Sequence, residues 1–182
     1  MLVERTEAIR ILHFIVLLLC AVPTPAFAEH LNFDHRLHPP LKAVFDQKRD
    51  EMITYDNSNP RYVIDRIAIT GKSASDWTEA LDIIVRTPAR EVKTADDWFA
   101  EIKAKTGKAC PSTFAVIATD PLGITFSRRS TNCGADKVQF ALYRIVAGTK
   151  SLFLLNAIHR ADMDEQTQRQ WLALLGSAQL AD

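Results

Sequence analysis

The chain has 182 residues with 22 basic and 22 acidic side chains, so its formal net charge at neutral pH is zero. A neutral chain without a basic block has no electrostatic basis for holding a nucleic acid backbone, which excludes a nucleic-acid partner. After the first 28 residues no stretch approaches the 18 consecutive apolar residues of a membrane span, so none is predicted there.

Residues 1–28 have the three parts of a secretory signal peptide. Arg5 and Arg10 give a cationic start, and residues 11–22 form an apolar run that is too short to span a bilayer comfortably. The small residues of Ala26-Phe27-Ala28 match what signal peptidase requires. We therefore predict cleavage after residue 28 and a periplasmic or secreted protein.

Lipidation of Cys20 is the alternative processing route. The run Leu17-Leu18-Leu19-Cys20 is similar to a lipoprotein box, but that box requires a small residue where Leu19 stands.

Residues 29–40, which end in Pro39-Pro40, are polar and predict a flexible leader without a core face. Residues 41–182 then fit one domain.

Strand patterns dominate the rest of the chain. Residues 41–50 predict a short helix and residues 51–55 a short strand. Alternating apolar residues predict six further strands, over 62–70, 77–86, 113–119, 123–130, 138–146 and 151–159. Two more helices follow from cap signals: one opens at Thr94, with Gly107 as its candidate end, and one opens at Asp162 with Glu165, carries Trp171, and has Gly176 as its candidate cap. Short loops favour antiparallel hairpins. The predicted fold class is α+β, an antiparallel sheet of about six strands with helices packed on it.

Two cysteines lie beyond the predicted cleavage site, Cys110 and Cys133, with 22 residues between them. Redox-active pairs are usually spaced C-x-x-C, so this pair predicts a structural disulfide in an oxidising compartment. It would join the end of the middle helix to the loop before the strand at 138–146.

The element order resembles that of small exported bacterial proteins of the Mog1/PsbP-like type. The resemblance rests on a strand, a Gly/Ser loop, Trp77-Thr78-Glu79 opening the next strand, a following helix, the two spaced cysteines and the closing helix with Trp171. It covers residues 62–175. It implies an antiparallel sheet covered by helices and a protein that binds or assembles other components, and it supplies no catalytic residues.

Metal and catalytic motifs are sparse in the sequence. His30, His35 and His38 cluster near the predicted mature N-terminus, but a flexible tail does not fix the ligands that a structural metal site needs, so no metal site is predicted. The sequence has no G-x-S-x-G elbow and no Gly-rich phosphate loop. We predict no catalytic residue and no cofactor.

Charged residues on apolar strand faces form the candidate polar site. Glu79 alternates with Trp77, Leu81 and Ile83, and the other candidates are Arg144, Arg160 and His159. A buried carboxylate requires a partner, so Glu79 is predicted to be buried and paired with Arg144 or Arg160. The cluster is either a structural ion pair or a polar spot that receives a ligand.

These patterns favour a non-catalytic periplasmic module that binds a protein or small-molecule partner. Two alternatives stay open. One is a small periplasmic hydrolase that uses His159 with Glu79, and the other is an inhibitor or immunity protein for an exported enzyme.

Overall fold

The computed structural model describes residues 29–59, 62–86, 94–131, 133–134 and 137–181, so the predicted signal peptide and Cys20 lie outside the described residues. The described helices are α1 (Pro39–Asp46), α2 (Ala95–Ala109) and α3 (Glu165–Gly176). The described strands are β1 (His30–Asn32), β2 (Ile53–Asp56), β3 (Val63–Gly71), β4 (Trp77–Arg86), β5 (Ser112–Asp120), β6 (Gly123–Ser130), β7 (Phe140–Ala147), β8 (Leu152–His159) and β9 (Gln179–Ala181).

Seven strands form one antiparallel sheet in the order β2-β3-β4-β8-β7-β6-β5, and β1 pairs with β9 in a separate two-stranded ribbon. The predicted α+β class with an antiparallel sheet is therefore confirmed. The hairpins β5–β6 and β7–β8 also form as predicted. The main sheet has seven strands, one more than the six that alternating apolar residues predict. The seventh is the short strand β2, which pairs along the outer edge of β3.

Helix caps explain where α2 and α3 begin. The hydroxyl of Thr94 accepts a hydrogen bond from the Asp97 amide at 3.0 Å, as predicted. The cap of α3 is Asp164, whose carboxylate accepts from the Thr167 amide at 2.9 Å, so the predicted cap at Asp162 was wrong. Asp162 instead forms an ion pair with Arg129. The predicted end of α2 at Gly107 was also too early, because the helix continues to Ala109.

Helices cover both faces of the main sheet. On one face α2 packs its Phe99 ring against Phe126, with ring centroids 4.4 Å apart, and Phe126 stacks on Tyr143. On the other face α1 and α3 bury Leu41 and Trp171. Strands β7 and β8 are consequently apolar along nearly their whole length, because residues of both parities are buried.

Residues 29–40 differ from the predicted leader, because they have a core face. Residue His38 is completely buried, and the β1–β9 ribbon pairs Leu31 with Leu180. The Glu29 carboxylate accepts hydrogen bonds from the backbone amides of Thr149, Lys150 and Ser151, in the turn between β7 and β8. The polar composition of residues 29–40 does not reveal these contacts, because each contact involves only one side chain or the backbone.

The disulfide joins Cys110 and Cys133, whose Cα atoms are 5.7 Å apart. This separation lies within the usual range for a disulfide, and the predicted pairing is confirmed. As expected, the bond links the end of α2 to the loop before β7.

Candidate functional site

A carboxylate lies in the core beneath α3. The side chain of Glu79, on β4, is only 5 % exposed and accepts a hydrogen bond from the indole N–H of Trp171 at 2.6 Å. The imidazole Nε2 of His38 lies 3.2 Å from the same Oε1 atom, although its N–H is not aligned well enough for a full hydrogen bond. The His38 and Trp171 rings stack, with centroids 4.0 Å apart.

The backbone around α1 positions His38. This residue is the N-cap of α1, and Pro39 at the first helical position sets the backbone angle that starts the helix. The Nδ1 atom accepts from the Leu41 amide at 3.3 Å. Because Nδ1 is an acceptor, a neutral ring carries its proton on Nε2, on the side that faces Glu79.

The electrostatics of this cluster favour an ionised Glu79. Burial by itself would raise the pKa of the carboxyl, but contacts from His38 and Trp171 outweigh burial, and the nearby His159 acts in the same direction. The pKa of Glu79 therefore lies below its ordinary value. The cluster, which we call the Glu79 triad (His38, Glu79 and Trp171), holds a charged carboxylate between two aromatic N–H groups.

The prediction that Glu79 is buried and partnered is confirmed, but the predicted partners Arg144 and Arg160 were wrong. Arg144 is buried on β7 and pairs with Asp120 at 2.8 Å. Arg160 stacks on Trp77, with its guanidinium carbon 4.2 Å from the ring centroid. His38 was predicted to lie in a flexible leader, so its contact with Glu79 was not anticipated.

A register irregularity explains why Trp77 does not share a face with Glu79. The β3–β4 pairing shifts at Thr70 and again before Gly71, so strict alternation fails over the first residues of β4. The Trp77 ring contacts the guanidinium of Arg66, which pairs with Asp82. Asp82 lies three positions after Glu79 and therefore faces the opposite side of the sheet.

His159 ends β8 directly beside Glu79 in the register. Its Nδ1 atom lies 2.9 Å from the Ala161 carbonyl oxygen and 3.1 Å from the Ala161 amide, so the ring is turned toward its own loop. The structure thus brings His159 and Glu79 side by side in the sheet but joins the carboxylate to His38.

The three N-terminal histidines do not converge. His30 is exposed on β1, His35 packs edge-on against Phe45, and His38 is buried against Trp171. Within the described ranges, no group of three His, Cys, Asp or Glu side chains is arranged to hold a metal ion.

A second charged cluster lies on the α2 face of the sheet. Arg86 is 5 % exposed, donates two hydrogen bonds to Glu101 at 2.7 and 3.0 Å, and stacks on Trp98 and Tyr62. The hydrogen bond from Arg86 lowers the pKa of Glu101 to about 2, against a smaller opposing effect of burial. Arg86 was not predicted as a site residue. The pattern that points to it is a basic residue on the same strand face as Ile84, two positions earlier in β4.

No family model and no curated protein matches this chain. Among the described residues, no helix is both long and apolar enough to cross a membrane.

Proposed function

We propose that the protein is an exported, non-catalytic module that binds an extended segment of a partner protein along one edge of its main sheet. The edge strand β5 carries this proposal. Its first half packs on the domain, with Phe114 6.5 Å from the Phe99 ring, but the six residues from Ala115 to Asp120 are all exposed. Val116 is 54 % exposed and Ile117 45 %.

The exposed part of β5 is apolar and open. An edge strand presents unpaired backbone N–H and C=O groups, and proteins usually protect such an edge with lysine, a β-bulge or a covering element. Strand β5 has no Lys or Arg, and within the described part of the chain it ends the sheet. Its register with β6 shifts once, between Val116 and Ala118. The adjoining turn adds the exposed Leu122.

The chemistry of β5 defines its occupant. The backbone groups of β5 on either side of the register shift at Ile117 match an extended peptide, which adds as a further strand. The only charged side chain of β5 is Asp120, and it is paired with Arg144. The occupant that complements this strand is therefore an uncharged, apolar segment.

The burial of the Glu79 triad favours binding over the hydrolase alternative. A general base must reach the proton that it abstracts. The His38 side chain is fully buried, and the Glu79 side chain is nearly so. In addition, His159 is held by its own loop. The resemblance to Mog1/PsbP-like proteins supports the same proposal, since that type binds or assembles other components.

Partner capture with edge variants tests the proposal. Three purified proteins are used to capture proteins from the exported fraction: the wild type, Val116→Lys and Tyr55→Lys. Tyr55→Lys is the matched control, because it places the same charge on the exposed opposite edge strand. We expect a partner that Val116→Lys loses and Tyr55→Lys retains. Equal capture by all three proteins would contradict the β5 assignment.

The intact mass of the purified protein tests export. We expect the mass of a chain that begins at Glu29, and a product with a lipidated Cys20 would contradict the predicted cleavage site.

A further inference from the structure

The α2 face of the sheet contains a groove that lies away from β5. Its volume is about 220 Å³, and it opens between α2 and strands β3, β4 and β8. Aromatic rings form part of its wall, contributed by Tyr62, Trp98 and Tyr143. Aliphatic residues add to the lining, contributed by Ile64, Ile84 and Leu154.

Two buried polar atoms in this groove have no hydrogen-bond partner among the described residues, the Oδ1 atom of Asn156 and the Nε atom of Arg86. Tyr143 is 4 % exposed and lines the same groove. Burying a polar group without a partner costs free energy that folding does not recover. These two atoms are therefore available to a molecule in the groove.

Asn156 and Tyr143 are neighbours in the sheet. Asn156 on β8 lies opposite Tyr143 on β7 in the register, and both residues line the groove. A side-chain amide presents an acceptor next to a donor, whichever way the amide is turned. The complementary ligand edge carries a donor next to an acceptor.

The cationic groups of the groove exclude a cationic ligand. Arg86 lies between the Tyr62 and Trp98 rings and uses two of its nitrogens on Glu101. The aromatic faces that would bind a ligand cation are thus already occupied by a guanidinium. A neutral planar ring can instead pack against the aromatic and aliphatic walls.

We propose that this groove binds a neutral planar heterocycle that presents a hydrogen-bond donor beside an acceptor to Asn156. The volume suits a ligand of one or two rings, because an apolar cavity of about 150 Å³ already holds benzene. This site is independent of the β5 edge, so either assignment can fail without the other.

Two matched probes test the proposal. The probe 2-pyridone carries an N–H beside a C=O on one ring, and N-methyl-2-pyridone has the same ring without the donor. Each is titrated into isotope-labelled protein while amide and side-chain NMR signals are followed. We expect 2-pyridone to shift the Asn156 side-chain amide and neighbouring groove signals, and to bind at least roughly tenfold more tightly than its N-methyl derivative.

Two variants separate binding from folding. Asn156→Leu replaces the amide by an apolar group of similar shape, so we expect unchanged or higher thermal stability together with loss of 2-pyridone binding. Tyr143→Phe keeps the aromatic wall of the groove, so we expect it to retain 2-pyridone binding. Equal binding of the two probes, shifts outside the groove, or retained binding by Asn156→Leu would overturn the proposal. The absence of groove shifts at millimolar 2-pyridone would do the same, since it would mean that water alone satisfies these groups.

Discussion

Glu79 and Trp171 lie 92 residues apart in the chain and are joined by a 2.6 Å hydrogen bond in the core. This bond fixes α3 on β4, and His38 fixes the N-terminal segment against the same two side chains. Three distant parts of the sequence therefore depend on one carboxylate.

The substitution Glu79→Gln should lower the free energy of unfolding by about 1–3 kcal/mol, the range for a buried hydrogen bond with a charged partner. The Trp171 N–H would keep only a neutral acceptor, and the new amide would place a donor beside His38. Urea denaturation measures the change. Glu165→Gln, on the exposed face of α3, is the control. A loss below about 0.5 kcal/mol would mean that the triad does not stabilise the fold.

The direction of the Glu79 pKa shift determines how the stabilising effect of this bond depends on pH. The folded pKa of Glu79 is depressed, so its contribution is present above the ordinary value of 4.5 and is lost as the pH falls through the folded pKa. The penalty of Glu79→Gln should therefore shrink in acid.

The substitution His38→Ala should cost about 2–4 kcal/mol, because it removes a buried ring from Trp171 and a partner from Glu79. His30→Ala, on an exposed position of β1, should change stability by less than about 0.5 kcal/mol. Thermal and urea unfolding compare the two variants. Equal stability of both would restore the original prediction that residues 29–40 form a spacer.

Acid should weaken the Arg86–Glu101 pair. The folded pKa of Glu101 is about 2, below its ordinary 4.5, so the pair stabilises the protein at neutral pH and loses that effect as the pH falls from about 4.5 toward 2. At pH 7, Glu101→Gln should lower stability by about 1–3 kcal/mol. The gap between wild type and variant should narrow as the pH falls below about 4.5 and close only below the folded pKa of Glu101. A gap that stays constant with pH would contradict the assigned pairing.

Reduction of the Cys110–Cys133 bond should lower the free energy of unfolding by about 3 kcal/mol, because it frees a long loop in the unfolded chain. The doubly substituted Cys110→Ala, Cys133→Ala protein should match the reduced protein. Alkylation of purified protein without reductant should label neither thiol. Labelling of both would show that the bond does not form in the purified protein.

Much of the fold follows from local patterns. The β-branched and apolar runs of β4, β6 and β8, each bounded by turn residues, predict the positions of these strands almost to the residue. The Thr94 cap is equally local. The partner of Glu79 was not predictable in this way, since His38 arrives from a polar segment through a long-range contact.

The error at Trp77 has a different physical cause. Side chains alternate between the two faces of a sheet only where the strands pair without a register shift. The irregularity at Thr70 places the Trp77 ring on the face of Arg66 and Asp82. A sequence pattern identifies the residues of a strand but not a bulge within it. The groove at Asn156 was also hidden, because it depends on which residues α2 leaves uncovered.

Hydrogen exchange at β5 tests the central claim most directly. In the free protein, the amides of Ala115 to Asp120 that are not paired with β6 should exchange rapidly, because an edge strand leaves them without a partner. On addition of the partner that Val116→Lys fails to capture, these amides should become protected, while the opposite edge strand β2 stays unchanged. Amides of β5 that remain rapidly exchanging in the complex, or that are already protected in the free protein through pairing of two copies, would contradict the account.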